Sequence, residues 1–174
     1  MNNNEIIDHV VVPGTFDPVT FGHLDVIRRA RRLFPKVTVG VAASARKHGV
    51  GPTFSLDKRV QMIRDALVEE GISERVDVQP FTGLLVGFCE EVGAGGVVKG
   101  LRAMTDFEYE LQQADLNYHL SPDMESIFVM SSPEYGCVSS SIVRELASLG
   151  SDVSFLVPPS VERCLRERFG KGAR

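Results

Sequence analysis

The stretch Ile6-Ile7-Asp8-His9-Val10-Val11-Val12-Pro13-Gly14-Thr15-Phe16-Asp17-Pro18-Val19-Thr20-Phe21-Gly22-His23 decides the fold. Residues 6–12 are a short run rich in β-branched residues, which reads as a buried strand ended by Pro13-Gly14. Leu24, Ile27, Ala30 and Phe34 follow at spacings of three, three and four, one face of a helix. A strand has fed a helix through a glycine-bearing loop.

The same alternation continues outward from this unit. Residues 37–41 form a second apolar strand. Ser55 caps a helix striped by Val60, Ile63 and Leu67, with Gly71 just beyond its end. A weaker strand at 76–78 precedes a helix at 84–92, and a fourth strand at 96–99 precedes a helix at 105–119. That helix is opened by the capping box Thr105-x-x-Glu108. A fifth strand lies at 127–130. Two helices close the chain, the second entered through Pro158-Pro159 with Val161, Leu165 and Phe169 facing inward. Repeated strand–helix units with short links predict an α/β fold: a single Rossmann-like domain over 1–174, its five-stranded parallel sheet covered by helices on both faces. Residues 1–5 and 170–174 are expected to be frayed ends.

Composition narrows the function classes. A formal charge of −4 argues against a general nucleic-acid binder, although cations can still converge on one cleft. No apolar run approaches the roughly 18 residues of a membrane span, and the N-terminus has no targeting pattern, so the chain is read as cytoplasmic. Cys89, Cys137 and Cys164 are far apart and form no C-x-x-C, and His9, His48 and His119 lack ligand spacing. No metal site of protein residues is therefore assigned. Gly93-Ala94-Gly95-Gly96 precedes a strand and reads as a turn, and no phosphate-loop kinase motif occurs. Arg28-Arg29-Ala30-Arg31-Arg32 reads as a solvated helix face, since no aromatic platform accompanies it.

In a doubly wound parallel sheet, ligands bind beyond the strands' carboxyl ends. Four loops there carry polar or cationic groups. After strand one, the helix start offers unpaired N–H groups and a positive dipole to an anion, with His23 in its first turn and Gly22 leaving room beside it. Strand two ends in Ala42-Ala43-Ser44-Ala45-Arg46-Lys47-His48, and strand four in Lys99-Gly100-Leu101-Arg102, two cations across a glycine turn. Strand five leads through Tyr135-Gly136-Cys137-Val138 to Ser139-Ser140-Ser141, three serines at a helix start whose hydroxyls and N–H groups suit a second phosphate cluster.

Pro13-Gly14-Thr15-Phe16-Asp17-Pro18 with Thr20-x-Gly22-His23 resembles the signature of the H/T-x-G-H nucleotidyltransferase superfamily, and Val138-Ser139-Ser140-Ser141 with Arg144 resembles its I-S-S-S-x-x-R motif. The block Lys99-Gly100-Leu101-Arg102-Ala103-Met104-Thr105-Asp106-Phe107-Glu108-Tyr109-Glu110 closely resembles that of the bacterial phosphopantetheine adenylyltransferase family. The resemblance implies transfer of the adenylyl group of ATP to 4′-phosphopantetheine, giving dephospho-coenzyme A and pyrophosphate, with Mg²⁺ accompanying ATP. It also implies a homohexamer and feedback inhibition by coenzyme A.

Residue roles follow from the same resemblance. His23, Lys47 and Arg102 would be catalytic. Thr15, Phe16, His23, Gly100, Leu101, Arg102, Glu110, Tyr135, Gly136, Cys137, Val138, Ser139, Ser140 and Ser141 would bind ATP. Thr15, Lys47, Leu85 and Lys99 would bind the acceptor. Two departures stand out: the loop Gly49-Val50-Gly51-Pro52 is slightly longer than is common, and Lys99 replaces an Arg frequent in the family, so a bidentate fork becomes a point charge.

An acceptor phosphate is already an adequate nucleophile, so the expected chemistry is in-line attack on the α-phosphorus with electrostatic stabilisation and no general base. Two alternatives differ in class: a related transferase acting on another phosphate acceptor, and a non-catalytic nucleotide-sensing module.

Overall fold

Val10, Val11 and Val12 are consecutive and all buried, which in a strand requires cover on both faces. The structure, a computed structural model, describes residues 6–43, 51–102 and 104–170, with backbone alone at 104–106. Among these residues β1 (His9–Gly14), β2 (Lys36–Ala42), β3 (Val76–Phe81), β4 (Gly96–Leu101) and β5 (Glu125–Met130) form an all-parallel sheet ordered β3-β2-β1-β4-β5. Between the strands run α1 (Phe21–Leu33), α2 (Leu56–Glu69), α3 (Leu85–Val92) and α4 (Met104–Leu120), and α5 (Ser140–Ser148) and α6 (Pro159–Phe169) follow β5.

Alternation along β1 and β4 separates two cores. Val10, Val12 and Val98 join Leu24, Ile27, Ile63 and Leu165 in the larger one, while Val11 and Val97 meet Val86, Phe88 and Cys89 in the smaller. Helices therefore cover both faces, as the sequence pattern predicts. No helix among the described residues is long and apolar enough to cross a membrane. Residues 1–5 and 171–174, expected to fray, lie outside the described residues.

Several boundaries differ from the sequence reading for physical reasons. Ile6 is exposed, and the first strand begins only at His9. That strand then continues through Pro13-Gly14, pairing β2 as far as Gly14↔Val41, but it pairs β4 only at Val10↔Gly96 and Val11↔Val97. The His9 carbonyl accepts from Gly95 N at 3.1 Å, so by alternation Pro13 also faces the β4 side. β4 has already parted from β1 at that level. A proline costs no ladder bond there, although a central strand ordinarily excludes it.

The parting of β1 and β4 is the topological switch point, where a crevice opens. β4 itself runs to Leu101, so Gly100 is a strand residue and not a turn. A Cβ on Gly100 would sit 2.4 Å from Val26 Cγ2, hence glycine is what lets α1 lie so close over β4. α4 starts at Met104, which puts the Thr105 backbone inside the helix; the Thr105 side chain, and with it the expected capping box, lies outside the described residues.

The arginine run of α1 is not a solvated face. Arg28 pairs with Glu70 at 3.0 Å, and Arg31 donates to the Glu74 carbonyl at 2.8 Å. Arg29 bridges Asp25 to the β5 end, donating to the Met130 carbonyl at 2.9 Å and to Ser132 Oγ at 2.6 Å. Of the four arginines only Arg32 is exposed.

A fifth arginine is more deeply placed. Arg59 on α2 is 1% exposed, and its guanidinium donates to the carbonyls of Thr15 (2.6 Å), Ala42 (2.9 Å) and Phe54 (3.2 Å). Buried Asp17 answers from the other side, accepting from Thr53 N at 2.8 Å and Phe54 N at 2.9 Å. Together they join the β1–α1 loop, the end of β2 and the entry to α2.

Replacing Arg59 with Met strands three carbonyls and removes one of the two cations near Asp17, leaving Arg144 alone, so we expect a loss of about 3–5 kcal/mol of folding stability. Arg32→Ala, at an exposed position, should stay within about 0.5 kcal/mol of the parent. Urea unfolding of both variants measures the contrast. A loss below about 1 kcal/mol for Arg59→Met would mean that those carbonyls find other donors.

Candidate active site

The crevice between β1 and β4 is a cleft of about 530 Å³. Thr15, Phe16, His23, Leu85, Lys99, Gly100, Arg102, Glu110, Val138, Ser139 and Ser140 line it, so eleven of the residues singled out in the sequence come together at one place. Leu101 is buried in β4 and does not line the cleft, nor do Tyr135, Gly136, Cys137 and Ser141. Tyr135 instead packs behind the start of α1, its Cβ 3.5 Å from where a Gly22 Cβ would stand. That is ordinary contact distance, so Gly22 is not demanded by crowding. Lys47, with Arg46 and His48, lies outside the described residues.

His23 is the most constrained member of the site. Thr20 is the N-cap of α1, and its hydroxyl accepts from His23 N at 3.4 Å. In return the backbone N–H of Thr20 donates to His23 Nδ1 at 3.0 Å. This is a capping box in which an imidazole takes the place usually filled by Glu or Gln. A backbone N–H can only donate, so Nδ1 must be an acceptor and the ring proton sits on Nε2. Burial first, and then the neighbouring Arg102 charge, push the His23 pKa down to about 4. The ring is thus a neutral Nε2–H donor at physiological pH.

Phe16 fixes the ring's other face. Its aromatic ring meets His23 edge-on, with centroids 5.1 Å apart. Phe16 itself adopts a left-handed conformation with φ of 49°, rare for a bulky residue, and is 3% exposed. A Cβ on Gly14 would lie 2.9 Å from the Phe16 ring, so this ring can fold back only over a glycine.

The serines divide their groups differently from the sequence expectation. Ser139 caps α5 by accepting from Ile142 N at 3.2 Å, and Ser140 Oγ donates to the Pro18 carbonyl at 2.7 Å. Ser141 Oγ accepts from Arg144 at 3.5 Å, and Arg144 also donates to the Asp17 carbonyl. The Ser140 hydroxyl and Arg144 therefore hold α5 against the β1–α1 loop, while the Ser139 and Ser141 hydroxyls are engaged within α5 itself. What this helix start offers an anion is its first-turn N–H groups, which have no acceptor within the helix.

Arg102 donates to the Val138 carbonyl at 3.0 Å, tying the end of β4 to the approach to α5. Lys99 Nζ donates to Glu110 Oε2 across from β4 to α4. Phe81 and Tyr109 also line the cleft, beside Leu85, giving it an apolar end. Sequence reasoning assigned no role to either, nor to Arg59 or Asp17. Tyr109 stood inside the quoted block, and its neighbour Glu110 was the only hint.

Residues 11–146 match the family described as cytidylyltransferase-like. A phosphopantetheine adenylyltransferase of Geotalea daltonii is 45% identical over 161 residues, covering 92% of this chain and 96% of that one. One from Thioalkalivibrio sulfidiphilus is 49% identical over 160 residues, covering 92% and 97%. Among solved structures, a bifunctional NMN adenylyltransferase/ADP ribose pyrophosphatase from Francisella tularensis aligns with a TM-score of 0.67 at 17% identity, over 93% of this chain and 49% of that one. A lipopolysaccharide core biosynthesis protein from Thermoplasma volcanium aligns with a TM-score of 0.51 at 21% identity, over 73% and 98%. The two structures share the fold; the two sequence relatives share far more, and the chain belongs to the phosphopantetheine adenylyltransferase family.

Proposed function

We propose that this chain transfers the adenylyl group of ATP to the phosphate of 4′-phosphopantetheine, releasing pyrophosphate and forming dephospho-coenzyme A. One observation carries the mechanism: a neutral Nε2–H donor, fixed by its own helix cap, shares a cleft with Lys99 and Arg102. The acceptor phosphate attacks the α-phosphorus in line with the departing pyrophosphate. Its oxygens are already anionic, so no side chain need remove a proton. His23 Nε2–H donates to an α-phosphate oxygen and strengthens that bond as charge builds there. Arg102 and the approach to α5 at Val138, Ser139 and Ser140 face the nucleotide phosphates, with Thr15, Phe16, Gly100 and Glu110 completing the ATP side of the cleft and Leu101, Tyr135, Gly136, Cys137 and Ser141 supporting it from outside the lining. Lys47, Lys99 and Thr15 hold the acceptor phosphate, and Leu85 contacts the pantetheine arm.

Mg²⁺ enters this scheme on the triphosphate, where it neutralises charge. Among the described residues no cluster of three His, Cys, Asp or Glu side chains could ligate a metal. The ion accompanying ATP would be held by phosphate oxygens and water, the usual manner of nucleotide-bound Mg²⁺. We assign the chain to the cytoplasm, where its three free cysteines stay reduced. Coenzyme A, which contains both product parts, would inhibit by occupying the same cleft. A homohexamer accounts for apolar side chains left exposed on α4 and β5: Leu116 (55%), Tyr118 (61%), Leu120 (57%) and Met130 (63%).

Three measurements test this reading. Pyrophosphate release with ATP, Mg²⁺ and a panel of phosphorylated acceptors should favour 4′-phosphopantetheine and stop on chelation. His23→Ala should lower turnover by a factor of about 10² to 10³ while substrate affinity changes less. Preference for another acceptor, or turnover of His23→Ala within a few-fold of the parent, would refute the substrate or the role in turn.

An NMR titration of the His23 ring should show the Nε2–H tautomer at neutral pH and a midpoint near 4. Because this pKa lies below the ordinary 6.5, the ring's share of stability is intact above pH 6.5. It is lost as pH falls from there through about 4, and His23→Asn should reduce the pH dependence of unfolding in that window. A midpoint near 6.5 would contradict the cap geometry. Finally, sedimentation should find a hexamer that Leu116→Lys with Leu120→Lys dissociates; a monomeric parent would exclude the assembly.

A further inference from the structure

Among the described residues lining the cleft, Glu110 is the single carboxylate. Its presence is physically costly, because a negative charge in a chamber that receives phosphates repels them. Its partner is Lys99, and the two side chains are only 23% and 19% exposed. Among the described residues neither has another ionic partner. Water and salt screen such a pair far less than a surface pair. A half-buried ammonium without a counter-ion would be poorly solvated. Glu110 thus answers the need of Lys99 before substrate arrives, and blocks it for the same reason.

We propose that Glu110 is an internal stand-in for the acceptor phosphate on Lys99, displaced when that phosphate binds. The inference rests on the reading that Lys99 meets the acceptor phosphate. A phosphate dianion brings two charges and three acceptor oxygens to Lys99 and outcompetes one carboxylate. A singly charged anion brings no more than Glu110 already supplies, and it is turned away. The pair therefore acts as a threshold that selects dianions, and Glu110, on the ATP side of the cleft in the proposed reading, sets acceptor specificity through its contact with Lys99. Lys99 is also kept extended toward α4 by this contact, so the ammonium is ordered before the phosphate reaches it.

The test is calorimetric titration of the full chain with inorganic phosphate, and separately with formate, without nucleotide. Glu110→Gln keeps the side chain's shape and removes its charge. It should bind phosphate about tenfold more tightly than the parent and should gain measurable formate binding. Lys99→Met and the double variant Lys99→Met with Glu110→Gln complete the cycle, and the gain must vanish when Lys99 is absent. Unchanged or weaker phosphate binding in Glu110→Gln would overturn the proposal, as would an equal gain on the Lys99→Met background. No turnover is read here. A chain that binds phosphate as expected yet releases no pyrophosphate would refute the adenylyl-transfer reading and spare this one.

Discussion

One buried guanidinium holds together, beside the cleft that the parting of β1 and β4 opens, segments that the sheet leaves untied. Past the last β1–β4 pair, the carbonyls at strand ends have no ladder partner. Arg59 reaches Thr15, Ala42 and Phe54 at once, a task suited to a planar fork of five donors and unsuited to the point charge of lysine. Asp17 and Arg144 carry the same network on to Thr53, Phe54 and the start of α5. Four stretches distant in sequence are thereby fixed around one opening.

That fixing explains how Phe16 can occupy a left-handed backbone conformation. Such strain persists only where its surroundings over-determine it. Here the residue before is held at its carbonyl by Arg59, and the residue after is held at its carboxylate by Thr53 and Phe54 and at its carbonyl by Arg144. The folded-back ring then supports His23, whose Nδ1 is spent on the helix cap. Protonating this imidazole would set an N–H against the Thr20 N–H, at the positive end of a helix and near Arg102. The protein has made its histidine a neutral donor by several independent means, and leaves the work of full positive charge to Lys99 and Arg102.

The sequence showed the parallel sheet and the strand-end location of the site through local pattern, and eleven of the residues that line the cleft through pattern and family resemblance together. β-branched runs announce strands covered on both faces, and the Thr20-x-Gly22-His23 spacing is a helix-start property. What stayed hidden depends on partners far along the chain. Arg59 lies beside an apolar stripe and looks like any helix arginine, yet its acceptors stand 44 and 17 residues away. Arg29 likewise meets carbonyl and hydroxyl groups 101 and 103 residues distant. A run of arginines reveals its helix face and not the bare oxygens awaiting it. The serines misled in the opposite direction: their type suggested ligand hydroxyls, whereas a helix cap and a loop carbonyl claim two of them first.

The two ends of the cleft also rest on unequal foundations. The His23 floor stands on the larger core, which joins α1, α2, α5 and α6 to the sheet. The apolar wall of Phe81 and Leu85 stands on the smaller core, with only Val11, Val86, Phe88, Cys89, Val97 and Met124 fully buried. Within one chain α4 meets the sheet through contacts such as Phe107 against Phe128 at 6.0 Å, while Tyr109 and several leucines remain exposed there. Low packing density marks where a fold yields most easily. The Lys99–Glu110 pair spans this weaker side, joining β4 to α4 at the cleft itself. Its charge therefore does two things that cannot be separated: it keeps the ammonium neutralised, and it supplies the polar tie that sets how far the α4 wall stands from the floor. If the acceptor phosphate displaces Glu110 from Lys99 as proposed, it exchanges that tie for its own, and acceptor binding is then coupled electrostatically to α4.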